Sequence, residues 1–147
     1  MEKQPKRNVL EQGRAKLAYE FAEKGSKLHK EVGKAYRSYT KKIPMLVKTN
    51  GLGATFAFIK SKADKKDESK RDHAYEIIYK QTEEWLRKQM PKIFQKEDGK
   101  PLENQDLVYV FITQDSYTYR QITVEVIAFF TWLRRFAEGL IEGEGGN

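Results

Sequence analysis

Apolar residues at helical spacing run through both ends of this chain, and that periodicity constrains the fold more than any other feature. Leu10, Leu17, Phe21, Leu28, Val32, Ala35 and Tyr39 fall within roughly 60° of one another at about 100° per residue. The spacing predicts a long N-terminal helix over 8–41, with Asn8 as its N-cap. A break or bend is expected near Gly25-Ser26, because an interior glycine costs a helix about 1 kcal/mol. At the other end, Tyr119, Thr123, Val126, Ile127, Phe130, Leu133, Ala137 and Leu140 share one face, which Phe129, Trp132 and Phe136 extend. They predict a second long helix, capped by Asp115 or Ser116 and running to about Ile141.

The middle of the chain reads as shorter pieces. Residues 42–50 form a short helix with Pro44 in its first turn, and Asn50-Gly51 stops it. Gly51 to Lys62 is a third helix, apolar almost all round and so expected at the centre of the core. Residues 63–71 are a charged linker, and Asp72 caps a helix to about Met90. Residues 96–104, with Asp98-Gly99 and Pro101, are a loop. Residues 105–113 have strand propensity but no partner strand, so they are read as a short buried helix. The Gly-rich tail, 142–147, should fray. The expected fold is all-α: a single compact domain over 1–147, about six helices, with a long N-terminal and a long C-terminal helix.

Composition removes several function classes. The chain has 147 residues, no cysteine and two histidines, so thiol chemistry, disulfides and the common metal sites are not expected. The longest strongly apolar stretch, Val126 to Leu133, is far short of the ~20 residues a bilayer span needs. The first residues lack the apolar segment of a signal peptide, so the expected compartment is the cytoplasm, with no membrane partner.

Charge is unevenly placed. Residues 1–48 carry 13 Lys/Arg against 5 Asp/Glu, while 49–147 carry 15 against 16. The whole net charge of +7 therefore belongs to the N-terminal third. On the wheel of the first helix, Lys16, Lys27, Lys30, Lys34, Arg37 and Lys41 cluster within roughly 80°, opposite the apolar stripe. Glu20, Glu23 and Glu31 border them. Such a stripe is either a solvated face or a contact for an anionic partner, and lysines at this spacing would neutralise phosphates without reading bases. Tyr36 and Tyr39 are neighbouring stacking candidates. Tyr39, however, falls on the apolar side, and Tyr19 is the better exposed ring.

Catalytic signals are absent. Gly51-Leu52-Gly53-Ala54-Thr55-Phe56 begins like a dinucleotide fingerprint but lacks the third glycine and a preceding strand. His29 and His73 lie in charged segments and read as exposed. Glu83-Glu84 and Asp67-Glu68 are sequence neighbours that splay apart on a helix, and so make no two-carboxylate site. Arg134 and Arg135 also splay apart. Each, like Arg120, either stacks locally or binds phosphate or a partner carboxylate. No enzyme activity, cofactor, metal or small-molecule substrate is expected.

Two blocks resemble a known family. The first is Lys41-Lys42-Ile43-Pro44-Met45-Leu46-Val47-Lys48-Thr49-Asn50-Gly51-Leu52-Gly53-Ala54-Thr55-Phe56-Ala57-Phe58. The second is Tyr119-Arg120, then Thr123, Glu125 and Trp132-Leu133-Arg134-Arg135-Phe136-Ala137. Together they resemble the small-subunit family of the type III-B CRISPR effector, the Cmr complex. The resemblance implies an all-α, non-enzymatic protein. Its copies would stack beside the backbone subunits that hold the guide RNA, lining the path of the target RNA, while cleavage belongs to the backbone subunits. The expected partners are the other Cmr subunits, guide RNA and target RNA. The candidate nucleic-acid contacts are Lys16, Lys27, Lys34, Arg37, Lys41, Lys42, Lys48, Arg120, Arg134 and Arg135. Two other readings share the stripe: a stand-alone helical nucleic-acid-binding protein, and an adaptor docking on an acidic protein.

Overall fold

The computed structural model describes residues 6–143, with side chains from 9 onward. Six α-helices follow one another: α1 (Lys6–Ser26), α2 (Lys30–Asn50), α3 (Leu52–Lys62), α4 (His73–Gln89), α5 (Leu107–Ile112) and α6 (Ser116–Leu140). A 3-10 turn at Pro91–Phe94 precedes α5. The described residues contain no strand, only an isolated bridge between Gln95 and Pro101. The single all-α domain with long terminal helices is as expected.

The long α6 is the spine of the bundle. Its apolar face (Ile122, Val126, Phe129, Phe130, Leu133, Ala137) is fully buried. α1 packs along one flank of it, where Phe21 meets Phe129 edge-on with ring centroids 5.8 Å apart. α2 lies antiparallel along the other flank. Tyr119, near the start of α6, bonds the chain just beyond α2, and Ile141, at the end of α6, packs near Gly33 at the start of α2. α3, α4 and α5 close the opposite side around Phe56, which contacts Phe111 edge-on at 5.5 Å.

The boundary expected at 41 is absent, and α2 runs unbroken to Asn50. The break expected near Gly25-Ser26 is present: α1 ends at Ser26 and the chain turns at 27–29. The break follows from a close approach. A Cβ at Gly25 would lie 2.7 Å from the Tyr36 ring and 3.0 Å from Ile141 Cδ1, so only glycine lets α1 and α2 meet there. Pro44 is consequently buried in the interior of α2 rather than in a first turn. There it supplies no N–H to Thr40 C=O. Asn8 lies inside α1 rather than capping it.

Asp72 makes no capping bond to α4; its Oδ1 accepts from Tyr39 Oη at 3.2 Å. α3 is not wholly interior, since Ala54 and Ala57 are exposed and Phe58 is 44% exposed. Asp115, in contrast, does cap α6, accepting from Thr118 N at 2.7 Å. The segment 105–113 does hold a short helix with Leu107, Val110 and Phe111 buried. Of the tail, 144–147 lie outside the described residues.

Candidate nucleic-acid interface

The break at 27–29 divides the predicted stripe. Lys16 sits exposed on α1 and Lys27 in the connecting turn, so neither keeps register with α2. Within α2, five cations remain on one side: Lys30, Lys34, Arg37, Lys41 and Lys48 lie within roughly 60° of one another, spread over about 27 Å of axis. Lys30 was part of the periodic stripe in the sequence. Lys42 is exposed but points about 100° away from Lys41. Lys41 and Lys48 are exposed, while Lys34 and Arg37 are half-buried.

Few acids neutralise this row. Lys34 Nζ approaches Glu31 at 4.0 Å. Arg37 Nε is shielded from solvent without a hydrogen-bond partner. The Arg134 Nε is in the same condition, although its Nη2 lies 3.7 Å from Glu138. Arg37 belongs to α2 and Arg134 to α6, two helices that pack antiparallel. A guanidinium carries five donors in a fixed fork, and in each of these two the Nε donor is buried while the side chain as a whole stays half-exposed.

The other candidates lie apart. Arg135 is exposed about 100° round α6 from Arg134. Arg120 is exposed near the start of α6 and lines a cleft with Arg14, Met90, Tyr117 and Val124. Of the rings, Tyr36 is fully buried, which removes it as a stacking surface. Its hydroxyl donates to Gln81 Oε1 at 2.5 Å, and burial pushes its pKa far above the ordinary value. Tyr39 is half-buried and stacked on Tyr75. Tyr19 is 44% exposed and meets Phe136 edge-on. His29 is exposed, but His73 is half-buried, its Nδ1 lying 2.8 Å from Asp64 O.

Sequence reasoning missed the polar centre of the bundle. Arg14 of α1 makes two bonds to the Glu125 carboxylate of α6, at 2.7 and 2.8 Å, and Trp85 Nε1 of α4 donates to the same group at 3.0 Å. The bond to Glu125 raises the Arg14 pKa against the opposing effect of burial. The signal was present: Glu125 falls among Ile122, Phe129 and Trp132 on the wheel of α6, where an acid needs a buried donor.

Among the described residues no group of His, Cys, Asp and Glu could hold a metal ion. No described helix is long and apolar enough to cross a membrane.

Fold and surface together define a small helical-bundle protein with a cationic helix on one side. Comparison with known proteins is then specific. The family model for "CRISPR-associated protein (Cas_Cmr5)" matches residues 10–140. A crystal structure of a CRISPR-associated Cmr5 family protein from Thermus thermophilus superposes with a TM-score of 0.67 at 25% identity, covering 90% of this chain and 97% of that one. The chain belongs to the Cmr5 family. Membership supports a place as the small structural subunit of a Cmr complex, in company with the other Cmr subunits.

Proposed function

We propose that this protein works without catalysis of its own, as the cytoplasmic small subunit of a Cmr ribonucleoprotein, with α2 laid along the guide and target RNA. The observation that carries this reading is the row Lys30, Lys34, Arg37, Lys41 and Lys48 on one side of a single unbroken helix. Such a row tracks a phosphate backbone and is indifferent to base identity. That suits an effector in which guide–target pairing supplies the sequence. Lys16, Lys27, Lys42, Arg120 and Arg135 lie off this row and serve peripheral RNA contact or subunit contact.

Copies that stack head to tail need two unlike surfaces. The exposed Phe58, which lines a groove with Leu46 and Ala54, marks one apolar surface, and Tyr117 with Val124 marks another. A stand-alone nucleic-acid binder shares the cationic row but needs neither apolar surface.

The test is charge reversal in the assembled complex. Lys34→Glu with Arg37→Glu, and separately the exposed pair Lys41→Glu with Lys48→Glu, should weaken target RNA binding. Each pair should flatten the dependence of log K on log salt by about 2 while the helical circular dichroism stays unchanged. Unaltered affinity and slope in both double variants would remove α2 as the RNA-facing surface. Tight RNA binding by the isolated chain, with no association with other Cmr subunits, would favour the stand-alone reading.

A further inference from the structure

Away from the cationic row, on the side of α2 that faces α4, aromatic rings line up at the surface. Tyr39 and Tyr75 are stacked, with centroids 3.9 Å apart and planes within 7° of parallel. Phe58 meets Tyr75 edge-on at 5.9 Å. A cleft of about 650 Å³ opens beside this stack, within the usual size range of small-ligand sites. Tyr39 forms one of its walls and Tyr75 does not. Tyr75 covers one face of Tyr39, which is half-buried and also lines the cleft.

The rim of the cleft is polar and of mixed sign. Tyr39 Oη donates to Asp72 Oδ1 at 3.2 Å, and Arg71 lies close to the same hydroxyl. Arg71 also pairs with Glu31 at 3.6 Å. Asp64 and Lys70 complete the rim. Three carboxylates against two cations make it a poor host for a phosphate. A flat aromatic wall with both acceptors and donors at its edge is instead what a neutral base requires. The cleft also adjoins the cationic row, because Glu31 lies 4.0 Å from Lys34. Tyr39 itself lies about 170° round α2 from the middle of the row, so Glu31 is the link between the two surfaces.

We propose that this cleft takes one unpaired RNA base, stacked on Tyr39, with its hydrogen-bonding edge toward the Glu31, Asp64 and Asp72 carboxylates. Guanine fits best, since its ring N–H and exocyclic amine donate side by side to a carboxylate. The proposal rests on the RNA-facing reading above, and its test is chosen to fail independently of that reading.

The experiment is an NMR titration of the isolated full chain with guanosine monophosphate, uridine monophosphate and inorganic phosphate. The Tyr39 and Tyr75 ring signals should shift saturably with the guanine nucleotide, less with the uracil nucleotide, and not with phosphate. Tyr39→Leu should weaken the guanine nucleotide roughly tenfold, and Tyr39→Phe should retain it. Should Tyr39→Leu fail to fold, the exposed Glu31→Gln replaces it and should weaken binding several-fold. No ring shift with either nucleotide, the same shift with phosphate alone, or full affinity in both Tyr39→Leu and Glu31→Gln would overturn the proposal.

Discussion

The hydroxyl of Tyr119 accepts the backbone N–H of Gly53 at 2.8 Å, joining residues 66 apart in the chain. Gly51, the residue before α3, has φ of 90° and no side chain to cap that helix, so Tyr119 supplies the missing acceptor from α6. The two blocks that resemble the Cmr small-subunit family therefore meet in space at this bond. Tyr119→Phe removes only the oxygen and should destabilise the fold by about 1 kcal/mol, read by urea denaturation. A loss indistinguishable from zero would mean that water replaces the hydroxyl.

Glu125 is the group that ties α1, α4 and α6 together. Glu125→Ala leaves Arg14 and the Trp85 N–H without their acceptor, and should cost about 3 kcal/mol. Trp85 and Phe129 are stacked with centroids 5.0 Å apart, so tryptophan emission should shift with the change. Unfolding followed by that emission measures both effects, and an unchanged midpoint would contradict the account.

Gly25 sets the distance between α1 and α2. Gly25→Ala drives a methyl into the Tyr36 ring, 2.7 Å away, and should destabilise by about 1–3 kcal/mol. Gly13→Ala, with nothing within 4 Å, should instead stabilise α1 by up to about 1 kcal/mol. Thermal melts of the pair check the contrast directly; equal effects would deny the close approach.

These same residues mark how far the sequence could be read. Periodicity located α6 and its cap, because a long amphipathic face and an Asp at its start are local features. The division of α1 from α2 was readable only as a weakness at Gly25, since the decisive contact is a tertiary one with Tyr36 and Ile141. That break in turn moved Lys16 and Lys27 out of register with α2. Pro44 read as a helix start because its burial against neighbouring helices is invisible along the chain. Arg14 carried no signal along the chain, for its partner lies 111 residues away.

Alkaline pH should unfold the protein through its buried phenols. Burial pushes the pKa of Tyr36 and Tyr79 well above the ordinary 10.0, and pushes Tyr75 up to about 12. The folded state thus keeps protons that the unfolded chain releases. This contribution is complete below about pH 10 and is lost as pH climbs toward about 12. The melting temperature should stay level up to about pH 9 and then fall, together with the appearance of tyrosinate absorbance. In Tyr36→Phe the decline should be shallower. A decline of equal steepness in that variant would assign the effect to other groups.

The central claim is that α2 lies on RNA inside a Cmr complex. Ultraviolet cross-linking of the purified complex, followed by mass spectrometry of RNA-bound peptides, tests it most directly. The expected result is a concentration of cross-links on peptides from Lys30–Asn50, diminished by Lys41→Glu with Lys48→Glu. Cross-links confined to other helices, or a purified complex that contains no guide RNA, would contradict it.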